Sequence, residues 1–328
     1  MDKTDFLLVS MPWAPPSEPS IALGILKECL SKNQIKSKIF HAAPYLLKWL
    51  SRETYRCISD IWGVNDFLFT SLIDPQCDDK QVSALLKVLN RFDPSKENNF
   101  GNYPTLESFA EVIFKLRDEV IPLYLDYCAK KILSHSPRIV GFSCMFDQTI
   151  ASIALAKILK EYDPSLFIVF GGYALEDTAG KTVANAFPYI DLIVQGEGEE
   201  IIVQIAEHII NAKPFRKPLN KIIKTPRINL ETSPAPDYTD WFEEINLLYE
   251  TDKIKINTVV LPVESSRGCW WGQVKHCVFC GIDEETLKYT QKSAETTINM
   301  LRELRKKNMV KAMYIVFQII YCQKKILY

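Results

Sequence analysis

Three cysteines in one short stretch are the residues of this sequence best suited to chemistry. Cys269, Cys277 and Cys280 follow an apolar segment with the spacing C-x7-C-x2-C. Three thiolates on one loop can bind three irons of a 4Fe-4S cluster, which leaves the fourth iron free to bind a substrate directly. Trp270 and Trp271 lie between the first two cysteines, where they would screen a cluster from solvent. The spacing therefore favours an iron–sulfur site.

Two other interpretations of these cysteines stay open on spacing alone. A zinc ion would take the three thiolates with His276 as its fourth ligand. His276 is adjacent to Cys277, however, and neighbouring residues seldom reach one tetrahedral ion together. The cysteines can also be incidental thiols. The chain has nine cysteines, an odd number, and its start lacks a secretory segment, so a disulfide framework is not expected.

The residues around the cysteines resemble the cluster loop of radical S-adenosylmethionine enzymes. The stretch SRGCWWG…HCVFCG is similar in particular to the maturases of ribosomally made peptides (RiPP or bacteriocin maturation), and Tyr289–Ser293 resembles the segment that leads into their first barrel helix. The resemblance implies that Cys269, Cys277 and Cys280 bind a 4Fe-4S cluster. It also implies that S-adenosyl-L-methionine binds the open iron with Phe279 near its adenine. One-electron reduction, by a donor such as flavodoxin or ferredoxin, would then release a 5′-deoxyadenosyl radical.

The segments that must position this loop alternate between strand and helix patterns. Short apolar runs predict strands at 5–10, 36–41, 138–143, 166–170 and 191–194. Apolar periodicity predicts helices at 21–30, 149–161, 177–186 and 199–210, and a helical insertion over about 44–136. The alternation predicts an α/β fold with a doubly wound parallel sheet, which binds ligands at the carboxyl ends of its strands.

Composition divides the chain into a first domain over 1–210, a linker over 211–257 and a second domain over 258–328. The second domain is expected to contain a strand at 259–264, a helix at 294–307 and a strand at 312–317. By the resemblance, it is the start of a radical S-adenosylmethionine (β/α) partial barrel.

The first domain resembles the cobalamin-binding domain that precedes the radical domain in many methyltransferases. Ser143-x-Met145, Gly171-Gly172 and Gly196-Glu-Gly-Glu199 carry the likeness, each after a predicted strand. The resemblance implies bound cobalamin, with these candidate contacts: Met11, Pro12, Trp13, Ser143, Met145, Phe146, Gln148, Gly171, Gly172, Gly196, Glu197 and Gly198. Simpler interpretations stay open: the glycines as turn residues, Phe146 and Gln148 as packing and capping residues, and Trp13 as a surface anchor.

One element of many cobalamin proteins is missing. The Asp-x-His-x-x-Gly motif, which supplies a histidine to cobalt, does not follow the first strand, and His41 and His135 lie elsewhere. If the chain binds cobalamin, we expect no histidine on cobalt.

The composition narrows the possible partners. The 328 residues carry 39 basic and 40 acidic side chains, a formal net charge of −1, so no overall field favours nucleic acid or an anionic membrane. No apolar run approaches the length of a membrane span. A cytoplasmic protein without nucleic-acid or membrane partners is expected.

The implied reaction is methylation of an unactivated carbon in a precursor peptide, with methylcobalamin as the methyl donor. Only 48 residues follow Cys280, too few for the six strand–helix units of such a barrel, and Gln318–Ile320 stands where a Gly-Gly-Glu element is expected. We therefore expect a truncated radical domain of doubtful activity, with a tail at 319–328 unlike the family. The alternatives are a non-catalytic cobalamin- or peptide-binding fragment and a zinc-stabilised interaction domain.

Overall fold

A parallel sheet forms the centre of the fold. The structure, a computed structural model, describes residues 3–89, 105–215, 220–256 and 259–308. Its large sheet has six strands: β1 (Phe6–Ser10), β2 (Ser37–His41), β3 (Ile139–Ser143), β4 (Phe167–Gly171), β5 (Leu192–Gln195) and β6 (Ile222–Lys224). Their order is β2-β1-β3-β4-β5-β6, and all neighbouring strands are parallel. The predicted α/β fold with a parallel sheet is confirmed.

Helices cover both faces of this sheet, as buried parallel strands require. The described residues form these helices, of which the last three belong to the region around the cysteines: α1 (Ile21–Lys32), α2 (Ala42–Leu46), α3 (Arg52–Ser59), α4 (Val64–Ile73), α5 (Asp78–Leu89), α6 (Leu106–Lys115), α7 (Ile121–Leu133), α8 (Thr149–Tyr162), α9 (Asp177–Ala186), α10 (Ile201–Asn211), α11 (Thr239–Asp252), α12 (Trp270–Val274), α13 (Glu284–Leu287) and α14 (Ala294–Asn308). None of these helices is both long enough and apolar enough to cross a membrane.

Two apolar cores follow from the alternation of side chains along the strands. Phe6 and Leu8 of β1 pack with α1 and α10 on one face, whereas Leu7 and Val9 face the opposite core. The opposite core is the larger one, and α8 and the helical insertion build it. Helix α1 begins where predicted, with the Ser20 hydroxyl accepting a hydrogen bond from the Leu23 amide at 3.4 Å.

The predicted helical insertion is present in both of its described parts, 44–89 and 105–136. Thr105 starts α6 with a capping box, in which Thr105 and Ser108 exchange side-chain to backbone hydrogen bonds. A π-helical turn at Leu116–Val120 then leads into α7. Two helices of this insertion, α4 and α7, pack against α8.

The interval 211–257, expected to be a linker, carries two elements that pack on the first domain. Strand β6 pairs with β5 at the sheet edge. Helix α11 lies against β2, because the Asp240 carboxylate accepts hydrogen bonds from the Ile39 amide at 2.8 Å and from Lys27 Nζ at 2.6 Å. The domain boundaries at 210 and 257 stay predictions.

The region 259–308 departs from one expectation. The predicted strand at 259–264 is wrong, because no neighbouring strand pairs with this segment in the described residues. Its backbone reaches the first domain through a hydrogen bond from the Val260 amide to the Ser17 carbonyl. The predicted helix at 294–307 is confirmed as α14. The predicted strand at 312–317 and the segment 318–328 lie outside the described residues, so the partial barrel stays a prediction.

Candidate functional site

A cavity of about 550 Å³ opens at the carboxyl ends of the strands. The strand order reverses direction between β1 and β3, and parallel sheets bind ligands at such a reversal. The cavity runs between the sheet and the helices α1 and α10. Its apolar lining includes Phe6, Leu8, Leu23, Leu26, Val169, Val194, Ile201, Ile202 and Ile205. Its polar lining comes from the loops that follow the strands and from the segment around the cysteines.

Six of the candidate cofactor contacts line this cavity: Ser143, Gly171, Gly172, Gly196, Glu197 and Gly198. Gly172 and Gly196 also make tight turns, with φ of +106° and +91°. A Cβ at Gly172 would lie 2.4 Å from the Cys144 carbonyl oxygen, and a Cβ at Gly196 would lie 2.6 Å from the Thr225 carbonyl oxygen. Their interpretation as turn residues is therefore right, and the same turns bring bare backbone to the cavity wall.

The remaining candidates whose side chains the structure describes do not line the cavity. Met11, Pro12 and Trp13 are buried after β1, and Trp13 packs on Tyr55 and Phe69 with ring centroids 4.8 and 6.4 Å apart. Trp13 is only 5% exposed, so its interpretation as a surface anchor is wrong.

Gln148 is a capping residue, as the simpler interpretation had it. Its amide donates to the Met11 carbonyl at 2.8 Å, and its oxygen accepts from the Met145 amide at 3.2 Å. Met145 is half exposed. The side chain of Phe146 lies outside the described residues.

The cysteine loop, residues 269–280, is closed at its base by short backbone pairings. A two-residue antiparallel ladder joins β7 (Ser266–Arg267) to β8 (Thr290–Gln291). The Cys269 amide donates to the Leu287 carbonyl at 3.0 Å, and Cys269 Sγ accepts from the Gly272 amide at 3.3 Å. These contacts fix the first cysteine close to the ladder.

The three cysteines lie on one loop without forming a closed ligand set. In the part of the chain that the structure describes, no three His, Cys, Asp or Glu side chains meet closely enough to hold a metal ion. His276, the zinc candidate, is exposed, and Phe279 is 88% exposed. The thiols are the right donors for an iron–sulfur cluster, but their arrangement here does not fit one. The cluster and zinc assignments stay predictions.

An ion cluster joins the cysteine loop to the cavity mouth. The Arg267 guanidinium, two residues before Cys269, donates to both carboxylate oxygens of Glu264 at 3.0 and 2.8 Å. It also contacts Glu199 at 2.8 Å and Glu197 at 3.0 Å. Burial alone would lower the pKa of Arg267, but the hydrogen bonds and charges of Glu264 and Glu199 raise it above its ordinary value. Arg267 is therefore a fixed positive charge at this edge.

A second contact involves Tyr173, which directly follows Gly172 and lines the cavity. Burial raises the pKa of its hydroxyl, and the negative charges of Asp283 and Cys280 raise it further. A hydrogen bond from the Asp283 backbone acts in the opposite direction. Tyr173 thus contacts Asp283, which also lines the cavity and lies three residues after the last cysteine of the loop.

Sequence reasoning missed Tyr173, Arg267 and Glu264 as site residues. Two signals were available: a charged pair at the end of an apolar segment, and an aromatic residue directly after paired glycines.

Two carboxylates outside the cavity, Asp66 of α4 and Asp147 in the loop after β3, interact electrostatically. Burial, and then the charge of Asp147, raise the pKa of Asp66 to about 6. Burial also raises the pKa of Asp147, while a hydrogen bond from Asn65 opposes the rise. Neither carboxylate lines the cavity.

Part of the first domain is similar to a known protein family. Residues 111–206 match the family model of the B12 binding domain. This range contains β3, β4 and β5 and the loops that follow them. Those loops supply the six candidate contacts at the cavity.

Two curated methyltransferases are similar to parts of the chain. One, an uncharacterised methyltransferase of Pyrococcus horikoshii, is 29% identical over 168 residues, which cover 46% of this chain and 33% of that protein. The other is the 2-(S-pantetheinyl)-carbapenam-3-carboxylate methyltransferase of Streptantibioticus cattleyicolor, 31% identical over 77 residues, covering 22% of this chain and 11% of that protein. The matches span a third or less of these relatives.

A solved structure shares the fold. It is the cobalamin-dependent S-adenosylmethionine radical enzyme OxsB with aqua-cobalamin bound, with a TM-score of 0.52 and 14% sequence identity. The match covers 94% of this chain and 32% of OxsB. At this identity the similarity concerns the fold alone, and it agrees with the B12 binding domain match.

Proposed function

We propose that this chain binds cobalamin in the cavity and forms the cobalamin-binding part of a cobalamin-dependent methyltransferase. The observation that carries this proposal is a coincidence of two independent findings. The residues that match the B12 binding domain, 111–206, supply the loops after β3, β4 and β5, and the same loops line the cavity mouth. The two methyltransferase relatives support the reaction class.

The cavity has the chemistry to hold cobalamin. Cobalamin carries a flat heteroaromatic base on a nucleotide tail, and the apolar lining between the sheet, α1 and α10 suits such a base. Ser143, Gly171 and Gly172 line the same cavity, and the serine hydroxyl and the glycine backbone would bind the polar parts of the tail. When bound, methylcobalamin supplies a methyl group for transfer, while the protein positions and shields it.

The finer proposals concern the cysteine loop and the substrate. By resemblance, a radical S-adenosylmethionine reaction methylates a carbon of a ribosomally made precursor peptide, with flavodoxin or ferredoxin as electron donor, in the cytoplasm. The three cysteines supply suitable donors, but the structure does not gather them into a ligand set. No step at a cluster is therefore assigned to this chain.

Titration of the cobalamin-free protein with hydroxocobalamin tests the proposal, followed by absorbance and equilibrium dialysis. Gly171→Leu is the informative variant. A Cβ at Gly171 would meet Val194 at ordinary distances of 3.6 and 3.9 Å, and Val194 itself lines the cavity. The leucine side chain should therefore enter the cavity without breaking the fold, and it should weaken binding at least about tenfold.

Gly281→Leu is the matched control. Nothing lies within 4 Å of a Cβ at Gly281, and this residue does not line the cavity. The control should bind like the wild type, and circular dichroism should show that both variants are folded. Equal binding by Gly171→Leu and wild type, or no binding by the wild type, would refute the assignment of the cavity.

A further inference from the structure

The loop from Gly196 to Glu199, the GEGE loop, contacts the cavity and the cysteine loop at once. Gly196, Glu197, Gly198 and Glu199 all line the cavity. The two glutamates also turn their carboxylates to Arg267, at 3.0 and 2.8 Å. Arg267 begins the segment that carries Cys269. One four-residue loop therefore contacts both candidate functional regions.

We propose that the GEGE loop couples occupancy of the cavity to the position of the cysteine loop, with Glu197, Glu199 and Tyr173 as positioning residues. The identity of the cavity's ligand rests on the proposed function. The two glutamates act on the cysteine loop through their contacts with Arg267.

The near end of the cysteine loop is held by charge. Arg267 is 23% exposed, and Glu197 and Glu199 are 12% and 9% exposed, so solvent screens these contacts only weakly. A planar guanidinium bonded to three carboxylates has its donors committed in fixed directions. Loss of one partner would leave charges facing each other in a mostly buried site.

Glu197 is itself held from several sides. Its Oε2 accepts from the Ile228 amide at 2.6 Å, and its Oε1 lies 3.4 Å from Arg227 Nε. The Thr225 hydroxyl donates to the Glu197 carbonyl at 2.7 Å. Arg227 in turn donates to the backbone carbonyls of Glu285 and Lys288, beyond the cysteines. The GEGE loop is thus linked to both sides of the cysteine loop.

The far end is held through the loop after β4. Tyr173 accepts a hydrogen bond from the Asp283 backbone, and both residues line the cavity. Asp283 lies three residues after Cys280. Glu176 of the same loop accepts a hydrogen bond from the Gly196 amide at 2.6 Å. A displacement of the GEGE loop or of the loop after β4 would therefore change the contacts at both ends of the cysteine loop.

Coupling of this kind is reciprocal. A ligand that orders the GEGE loop from the cavity side should also favour the docked cysteine loop, and the docked loop should favour the ligand. Removing Glu199 or Arg267 should weaken both effects together.

Hydrogen–deuterium exchange of the cofactor-free 328-residue chain tests the docking contact. Glu199→Gln and Arg267→Lys should speed exchange in peptides covering 265–291 by about tenfold or more, because each loses charge-assisted hydrogen bonds. Tyr173→Phe should speed exchange at 280–286. Lys288→Gln is the matched control in the same segment, since it removes an ion pair to Glu285 whose side chains are 54% and 74% exposed. The control should change exchange less than about twofold.

Exchange in β1 and α1 shows whether a variant is still folded, and unchanged exchange there is expected throughout. If Glu199→Gln and Arg267→Lys both exchange like the wild type at 265–291, the positioning role is wrong. A variant that loses protection everywhere is replaced by Glu199→Asp, which keeps the charge but shortens its reach and should show a smaller rise confined to 265–291.

Added hydroxocobalamin tests the coupling. It should slow exchange at 265–291 in the wild type, and the slowing should be reduced in Glu199→Gln. If cobalamin binds normally yet leaves exchange at 265–291 unchanged, the coupling is refuted while the proposed function stands. If cobalamin does not bind and the variants still speed exchange, the proposed function is refuted while the positioning role stands.

Discussion

Asp66→Asn should stabilise the protein at neutral pH but not in acid. Asp66 lies in the first turn of α4, and one of its carboxylate oxygens is buried without a hydrogen-bond partner in the described residues. Burial, and then the charge of Asp147, raise its pKa to about 6. The positive end of α4 would favour the charged form by only about 0.3–1 kcal/mol. Burial therefore has the larger effect on the pKa of Asp66.

The size of the effect follows from the pKa difference. The ordinary pKa of aspartate is 3.8, so the rise to about 6 corresponds to about 3 kcal/mol at about 1.4 kcal/mol per pH unit. Between these two values the native state binds more protons than the unfolded state, so stability falls as the pH rises through this interval. Above pH 6 the whole cost is present, and asparagine, which does not ionise, removes it.

Urea unfolding followed by circular dichroism measures this difference. At about pH 7.5, Asp66→Asn should be more stable than the wild type by about 2–3 kcal/mol, and at about pH 4 the difference should approach zero. Asp60→Asn is the control, because that side chain is 66% exposed, and it should change stability by less than about 0.5 kcal/mol. A gain that is equal at both pH values, or a loss at pH 7.5, would contradict the burial argument.

Two further predictions concern the contact between α11 and β2. Asp240→Ala leaves the buried Ile39 amide without its acceptor and leaves the Lys27 ammonium with only the more distant Asp237 carboxylate at 3.6 Å, so it should destabilise the protein by about 3 kcal/mol in urea unfolding; a loss below about 1 kcal/mol would contradict this. His41 contacts Glu244 at 2.9 Å, and burial lowers its pKa to about 3. Stability is therefore lost as the pH falls below about 6.5, and His41→Gln should reduce that loss. The same variant should leave the absorption spectrum of added cobalamin unchanged, and a changed spectrum would implicate His41 in binding cobalt.

Local patterns were sufficient to predict most of the first domain. Strands such as Phe6–Ser10 are short apolar runs whose residues are all buried, and α1 begins at a serine that caps it. Both features depend on neighbours in the sequence. The segment 259–264 has the same apolar character but pairs with no strand among the described residues, so its pattern alone did not decide its structure. Strand formation depends on a pairing partner that the segment itself does not reveal.

The candidate site was predictable in position but not in its contacts. The carboxyl ends of β3, β4 and β5 were identifiable because glycines follow two of these strands. The contact between Glu199 and Arg267 joins residues 68 positions apart, and nothing in either local pattern points to the other. For Trp13 the local pattern pointed to the wrong environment. A proline-rich loop suggests an exposed side chain, whereas Tyr55 and Phe69 of the helical insertion bury Trp13.

The alternation of glycine and glutamate in the GEGE loop has a physical reason. Gly196 is needed because a Cβ there would collide with Thr225, and Gly198 lies close to Leu26 of α1. The two glutamates between and after these glycines contact Arg267. The B12 binding domain match ends at residue 206, so it includes both glutamates but not Arg267. Arg267 contacts both carboxylates, whereas Arg227 contacts only that of Glu197. The glycines thus let the loop pass close to Thr225 and Leu26, while the glutamates pair with the segment that carries the cysteines. The alternation therefore serves a contact between the residues that match the B12 binding domain and a segment outside that match.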